Sequence, residues 1–153
     1  LGRRGARASR EPRTGDGPLA RLILDTTILV DAERGGGALD AAVGDDDDIA
    51  VAAVTVAELR LGVNLTKGRR RRRRELFMAT VLDSIAIEAY DLDVAEAHAT
   101  LLAHVRRTGT PRGAHDMIIA ATALARSRQV VTLDLGGFAE LPGVAVATTS
   151  VGA

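Results

Sequence analysis

Arg21-Leu22-Ile23-Leu24-Asp25-Thr26-Thr27-Ile28-Leu29-Val30-Asp31 changes character at its midpoint. Leu22, Ile23 and Leu24 make a short apolar run closed by an acid, as in a buried first strand. A helix is expected over 27–34, and the triple glycine at 35–37 breaks it. Downstream the same alternation recurs. Strands are expected at 49–54, 85–90, 130–133 and 144–148. Helices are expected at 38–43, 55–64, from the arginines at 69–74 to Asp83, at 93–107 and at 115–126. Asp93 and Glu96 have the spacing of an N-cap and its capping-box partner. Strands that alternate with helices imply an α/β fold with a mostly parallel sheet of about five strands, covered on both faces.

The composition suits that plan. A chain of 153 residues has the size of one domain, and 46% hydrophobic residues can cover both faces of a sheet. Residues 1–20 are rich in Gly, Arg, Ser and Pro and read as a disordered basic tail, leaving 21–153 as the folded domain. The first 21 residues hold six arginines against two acids, so the remainder carries 14 basic and 18 acidic side chains. A formal net charge of zero therefore conceals a basic arm on an acidic body. No apolar run reaches the roughly 18 residues of a membrane span, and the opening holds no secretory apolar segment. With no cysteine, disulfides and thiolate metal sites are excluded, and a cytoplasmic protein is expected. The only aromatics are Phe77, Tyr90 and Phe138, too few for a base-stacking RNA platform.

Ligands of such sheets bind beyond the carboxyl ends of the strands. Asp25 ends the first strand, Glu58 follows the second in an early helical turn, and Asp134 ends the fourth. Asp116 opens a later helix that can point to the same edge. Carboxylates gathered in one cleft resist joint ionisation unless a cation joins them. Oxygen donors without Cys or paired His suit Mg²⁺, with Mn²⁺ as the alternative. Such an ion activates water and offsets charge on a phosphodiester. Each acid also has a simpler reading. Asp25 can cap a helix, Glu58 stands at capping-box spacing from Thr55, Asp116 suits a helix N-terminus, and Asp134 suits a turn. The acids border buried apolar segments without an evident basic partner nearby in sequence, which favours a shared role.

Four segments carry a resemblance. Leu24-Asp25-Thr26-Thr27-Ile28-Leu29-Val30-Asp31 resembles the opening motif of PIN-domain nucleases, especially VapC-type toxins of bacterial toxin–antitoxin pairs. Thr55-Val56-Ala57-Glu58-Leu59-Arg60-Leu61-Gly62 resembles their second motif and His115-Asp116-Met117-Ile118-Ile119-Ala120-Ala121-Thr122-Ala123 their third. Val131-Thr132-Leu133-Asp134, followed by Phe138 and by Leu141-Pro142-Gly143-Val144, resembles the fourth. The match spans about residues 22–150, in order and at family spacing.

The resemblance implies a PIN-like three-layer sandwich. It further implies a Mg²⁺- or Mn²⁺-dependent endoribonuclease in which Asp25, Glu58, Asp116 and Asp134 hold the metal and Thr26 and Thr132 orient the site. The implied substrate is structured RNA such as tRNA or ribosomal RNA. A VapB-type antitoxin would be the inhibitor, and the toxin itself a homodimer. In one respect the chain departs from the family. Members often carry an acid just before the Phe of the fourth motif, and Gly137 stands there.

Other residues have weaker signals. Arg112, in the loop before Asp116, is a candidate RNA phosphate contact, and the arginines at 69–74 suit phosphates, a solvated helix start or loop, or a contact for an acidic antitoxin. His115 is a candidate proton shuttle or a packed loop histidine. Asp31 is expected to have a structural or surface role. The acidic run at 45–48 lacks the spacing of a calcium loop and reads as a turn. A phosphotransfer domain would need a lysine near the acids, and the only lysine, Lys67, lies in a distant loop. A silent binding module would not need all four acids.

Overall fold

The computed structural model describes residues 19–147. Four strands, β1 (Arg21–Leu24), β2 (Asp48–Ala52), β3 (Ala86–Glu88) and β4 (Gln129–Val131), form one parallel sheet ordered β3-β2-β1-β4. Between and after them run α1 (Thr26–Glu33), α2 (Ala38–Ala42), α3 (Ala53–Asn64), α4 (Gly68–Ser84), α5 (Leu92–Thr108) and α6 (Ala114–Arg126).

Period-two alternation divides the strand side chains between two cores. Leu22 and Leu24 of β1, Val51 of β2 and Val131 of β4 pack with Ile28, Leu29 and Val81. Ile23, Ala52 and Val130 face the other way, onto Leu101, Met117, Ile119 and Phe138. The sheet is thus sandwiched between helical layers, as the alternating pattern requires. Ile23 and Leu24 are both fully buried. Burial of each such side chain contributes about 1.5–3 kcal/mol.

Among the described residues the sheet has four strands rather than about five. The segment predicted as a fifth strand follows the Leu141-Pro142-Gly143 turn. It meets the sheet only through a parallel bridge of Val146 with Val130. The bonds there are Val130 N–H to Ala145 O at 2.9 Å and Ala147 N–H to Val130 O at 2.8 Å. Thr148, the end of that predicted strand, and residues 1–18 of the predicted tail lie outside the described residues.

Two predicted helix starts shift. α5 is capped by Asp91, whose side chain accepts from Val94 N–H, so Asp93 and Glu96 are not a capping box. α3 begins at Ala53 directly from β2, which leaves Thr55 buried inside the helix with its hydroxyl unpaired. Thr55 is therefore no cap, and the capping-box explanation of Glu58 falls away. Glu58 sits in the second turn of α3.

Asp31 braces the backbone at the start of α2 and also lines a cavity at the sheet edge. Its Oδ2 accepts from Ala38 N–H at the start of α2. In the acidic run, Asp47 accepts from Gly44 N–H at 2.7 Å across the turn, and Asp48 enters β2.

The strand order positions the site. β1 connects onward to β2 on one side and pairs with β4 on the other, so the direction of winding reverses between β1 and β4. The crevice beyond their carboxyl ends is where doubly wound sheets bind ligands. Asp25 and Thr132 are the first residues past those two strand ends.

Candidate active site

Asp25 is 2% exposed, which for a carboxylate demands donors. It has three. Thr26 N–H donates to Oδ1 at 2.7 Å, and the hydroxyls of Thr27 and Thr132 each donate to Oδ2 at 2.8 Å. Its own N–H donates to Val131 O at 2.9 Å, which ties it to the end of β4. Asp25 is therefore also the N-cap of α1, and the capping and cleft readings hold together.

Thr132 links two acids. Its hydroxyl oxygen donates to Asp25 and accepts Asp134 N–H at 2.9 Å. Asp134 is exposed and opens a short 3-10 turn over Leu135–Gly137, without a side-chain cap bond. Thr27, which sequence reasoning did not single out, accepts from Leu133 N–H at 3.1 Å as well as donating to Asp25. Its signal was the Asp25-Thr26-Thr27 sequence at a strand end, where hydroxyls can serve a buried acid.

Glu58 reaches the same edge from α3. Thr26 Oγ1 donates to its Oε1 at 3.0 Å, and His115 Nδ1 lies 3.5 Å from that oxygen. His115 lies in the first turn of α6 with its side chain 56% exposed. It is a neighbour of the acids rather than a packed residue.

Asp116 stands on the same first turn, where a helix N-terminus would favour its ionised form. Its carboxyl is nevertheless pushed above the usual range. Burial is the main cause, followed by the charges of Asp25, Asp134 and Glu58, with His115 opposing. All three other acids are thus close enough to act on it. Asp25, Glu58 and Asp116 line one open cavity of about 510 Å³, together with Thr26, Thr27 and Arg34. Asp134 does not line that cavity and approaches Asp116 across the Gly137 turn, where a Cβ would lie 3.6 Å from Asp134 Oδ2.

As placed, no three Asp, Glu or His side chains among the described residues converge closely enough to ring one ion. The acids share an edge and a field. Their donor set is entirely hard oxygen, and Asp116 is pushed up first by burial and then by the three neighbouring acids. Both features fit a hard divalent cation.

Arg112 is otherwise engaged. Its guanidinium donates to the carbonyls of Thr110 (3.1 Å) and Ala139 (2.8 Å), bracing the loop before α6 against the segment after the 3-10 turn. Lys67 is the exposed N-cap of α4 and does not line the acid cavity.

Acids gathered at the switch point of a parallel sheet define a class of α/β proteins with an acidic cleft beyond the strand ends. A family model described as PIN domain matches residues 22–144. Ribonuclease VapC5 of Mycobacterium tuberculosis is 32% identical over 123 residues, covering 80% of this chain and 89% of the relative. Ribonuclease VapC of Rickettsia bellii is 27% identical over 128 residues, covering 83% and 95%. Among solved structures, that of VapBC-5 from Mycobacterium tuberculosis, a member of the VapBC family of toxin–antitoxin systems, superposes with a TM-score of 0.71. It is 28% identical, and the match covers 83% of this chain and 97% of that one. The chain belongs to the PIN-domain family, in its VapC-type branch.

Proposed function

We propose that this chain is an endoribonuclease, the toxin of a type II toxin–antitoxin pair, and that it hydrolyses phosphodiester bonds of structured RNA such as tRNA or ribosomal RNA. The names of the relatives support the ribonuclease activity, and the VapBC-5 neighbour supports a VapB-type antitoxin as inhibitor. A homodimer and a cytoplasmic location belong to the same reading, as does the division into a basic tail and one nuclease domain. No helix among the described residues is long and apolar enough to cross a membrane.

The observation that carries the catalytic reading is the cavity that Asp25, Glu58 and Asp116 line together, with Asp134 beside Asp116 across the Gly137 turn. In this reading the four carboxylates hold Mg²⁺ or Mn²⁺. When bound, such a cation lowers the pKa of a water and neutralises charge developing on the phosphodiester. The protein supplies position. Two threonine hydroxyls and a backbone N–H keep Asp25 from swinging away from the end of β1. Thr26 holds Glu58 toward the cleft, and Thr132 couples Asp25 to the backbone of Asp134. Such pre-set geometry is what lowers the barrier of an in-line attack. Arg112 braces its loop through the carbonyls of Thr110 and Ala139, keeps an Nε without a partner, and stays in this reading as a candidate phosphate contact.

The test incubates the purified chain with total tRNA and ribosomal RNA in Mg²⁺, Mn²⁺ or EDTA, followed by mapping of RNA 5′ ends. Discrete cleavage is expected with either metal and none in EDTA. A clean Asp116→Asn preparation that still cuts would refute the assigned site.

A further inference from the structure

The chain passes from α5 to α6 through Gly109-Thr110-Pro111-Arg112-Gly113. Gly113 is the N-cap of α6 and has no side chain to bond the helix start. The loop is held instead by Arg112. Its Nη1 donates to Thr110 O at 3.1 Å, within the loop itself. Its Nη2 donates to Ala139 O at 2.8 Å, across 27 residues of chain. Among the described residues no other hydrogen bond joins 109–116 to 134–140.

The two segments so joined are the ones that carry Asp116 and Asp134. The Asp116 carboxylate lies between two glycines, one in each segment. A Cβ on Gly113 would stand 3.3 Å from its Oδ2, and one on Gly137 would stand 2.7 Å from it. The same point on Gly137 is 3.6 Å from Asp134 Oδ2, so the two carboxylates meet over one backbone position. Arg112 is the residue before Gly113, and Ala139 comes two after Gly137. The guanidinium therefore spans the two walls of the slot that holds Asp116. Behind the slot Phe138 and Met117 pack in one core, which seats both segments. Apolar packing is non-directional, whereas a planar fork of donors fixes distance and orientation.

Mg²⁺ demands near-ideal geometry from its oxygen ligands, so two acids share it only over a narrow range of separations. We propose that Arg112 is a positioning residue of the acid site. By tying the loop at Thr110 to Ala139 it sets the width of the Asp116 slot, and with it the separation at which Asp116 and Asp134 meet a divalent cation. This assignment rests on the reading of the acids as metal ligands.

The test titrates Mn²⁺ calorimetrically into metal-free protein without RNA. It compares wild type, Arg112→Ala, Arg112→Lys, Gly137→Ala and the double variant Arg112→Ala with Gly137→Ala. Loss of a support behind a metal ligand weakens affinity about 10–100-fold, the range expected for Arg112→Ala. Arg112→Lys keeps the charge, but one ammonium cannot hold both walls, so it should bind Mn²⁺ nearly as weakly. Gly137→Ala should cost less affinity in the Arg112→Ala background than in wild type. An untied slot can widen around the added methyl group, and the two losses are then non-additive. In cleavage assays kcat of Arg112→Ala should fall about tenfold or more, with KM for RNA within about twofold of wild type. Thermal melts in EDTA check that each variant is folded.

Wild-type Mn²⁺ affinity in folded Arg112→Ala or Arg112→Lys would overturn the proposal, as would strictly additive losses. A raised KM with unchanged kcat and Mn²⁺ affinity, restored by lysine, would also overturn it and leave Arg112 a phosphate contact only. A wild-type chain that binds no Mn²⁺ would defeat the metal reading, and this assignment with it. One that binds Mn²⁺ but cuts no RNA would defeat the nuclease reading alone.

Discussion

A Cβ built on Gly137 would stand 2.7 Å from Asp116 Oδ2, closer than any real contact allows. The turn after Asp134 approaches α6 so tightly that only a glycine leaves the Asp116 carboxylate where it is. The backbone of Gly137 is not left-handed, so alanine is not excluded by conformation.

Gly137→Ala should therefore disturb the site more than the fold. The contact is with the end of a flexible side chain, which can rotate aside. The melting temperature should change little, while displacement of the carboxylate lowers RNA cleavage by about tenfold or more. Steady-state cleavage beside a thermal melt checks both halves. Wild-type kcat/KM in a folded Gly137→Ala chain would show that Asp116 has room to spare.

Thr132→Val keeps the side-chain shape and removes a donor from a buried carboxylate. Asp25 Oδ2 would keep Thr27 alone, and Asp134 N–H would lose its acceptor. Removing one partner of a buried polar pair costs about 1–3 kcal/mol. Urea unfolding should show a loss in that range. The Mn²⁺ affinity, read by thermal shift, should fall with it, because Asp25 is no longer oriented.

Much of this arrangement was legible in the sequence. Asp25 could be placed because an apolar run closed by an acid marks a strand end, and Glu58, Asp116 and Asp134 because helix and strand boundaries fall near them. What the sequence did not disclose depends on register and approach distance. Thr55 looked like a helix cap, but β2 passes into α3 without a loop, so the helix begins two residues earlier. Asp91, not Asp93, caps α5. The bonds of Arg112 to the carbonyls of Thr110 and Ala139 were hidden because a loop sequence does not show which carbonyls close over a side chain. The contact between Gly137 and Asp116 joins segments with no shared pattern, and only the folded chain reveals it.

The pKa of Asp116 gives a signed prediction for the metal-free chain. Its folded-state pKa lies above that of an ordinary aspartate, chiefly through burial and then through the three other acids. The folded state therefore binds its proton more tightly than the unfolded state. Stability is lost as pH rises from the unfolded toward the folded pKa, and the penalty is complete above both. Asp116→Asn removes that penalty. In EDTA at neutral pH it should melt higher than wild type, and the difference should vanish at pH below the unfolded value. Saturating Mg²⁺ should reverse the ranking, since only wild type gains binding stabilisation, about 1.4 kcal/mol at ten times Kd. A variant less stable than wild type in EDTA at neutral pH would refute the crowding of the acids.

Arg128 offers a prediction confined to stability. It is 7% exposed, and its guanidinium bonds Glu88 Oε1, the carbonyls of Leu22 and Asp48, and Asp48 Oδ1. It thereby fastens the edge strand β3 to β1 and β2, at a site none of the four acids shares. Arg128→Met leaves the carbonyls of Leu22 and Asp48 short of a donor and takes one of two arginines from Glu88, which together should cost about 1–3 kcal/mol. Adding Glu88→Leu should recover only part of that loss. The second change removes a carboxylate left with a single arginine, yet that arginine, Arg126, donates to it from Nε at 3.1 Å and then keeps Asp91 alone. Denaturant melts of the single and double variants measure the recovery. Cleavage per folded molecule should stay at the wild-type value in both, and a fall in kcat without unfolding would mean that the sheet edge is coupled to the site after all.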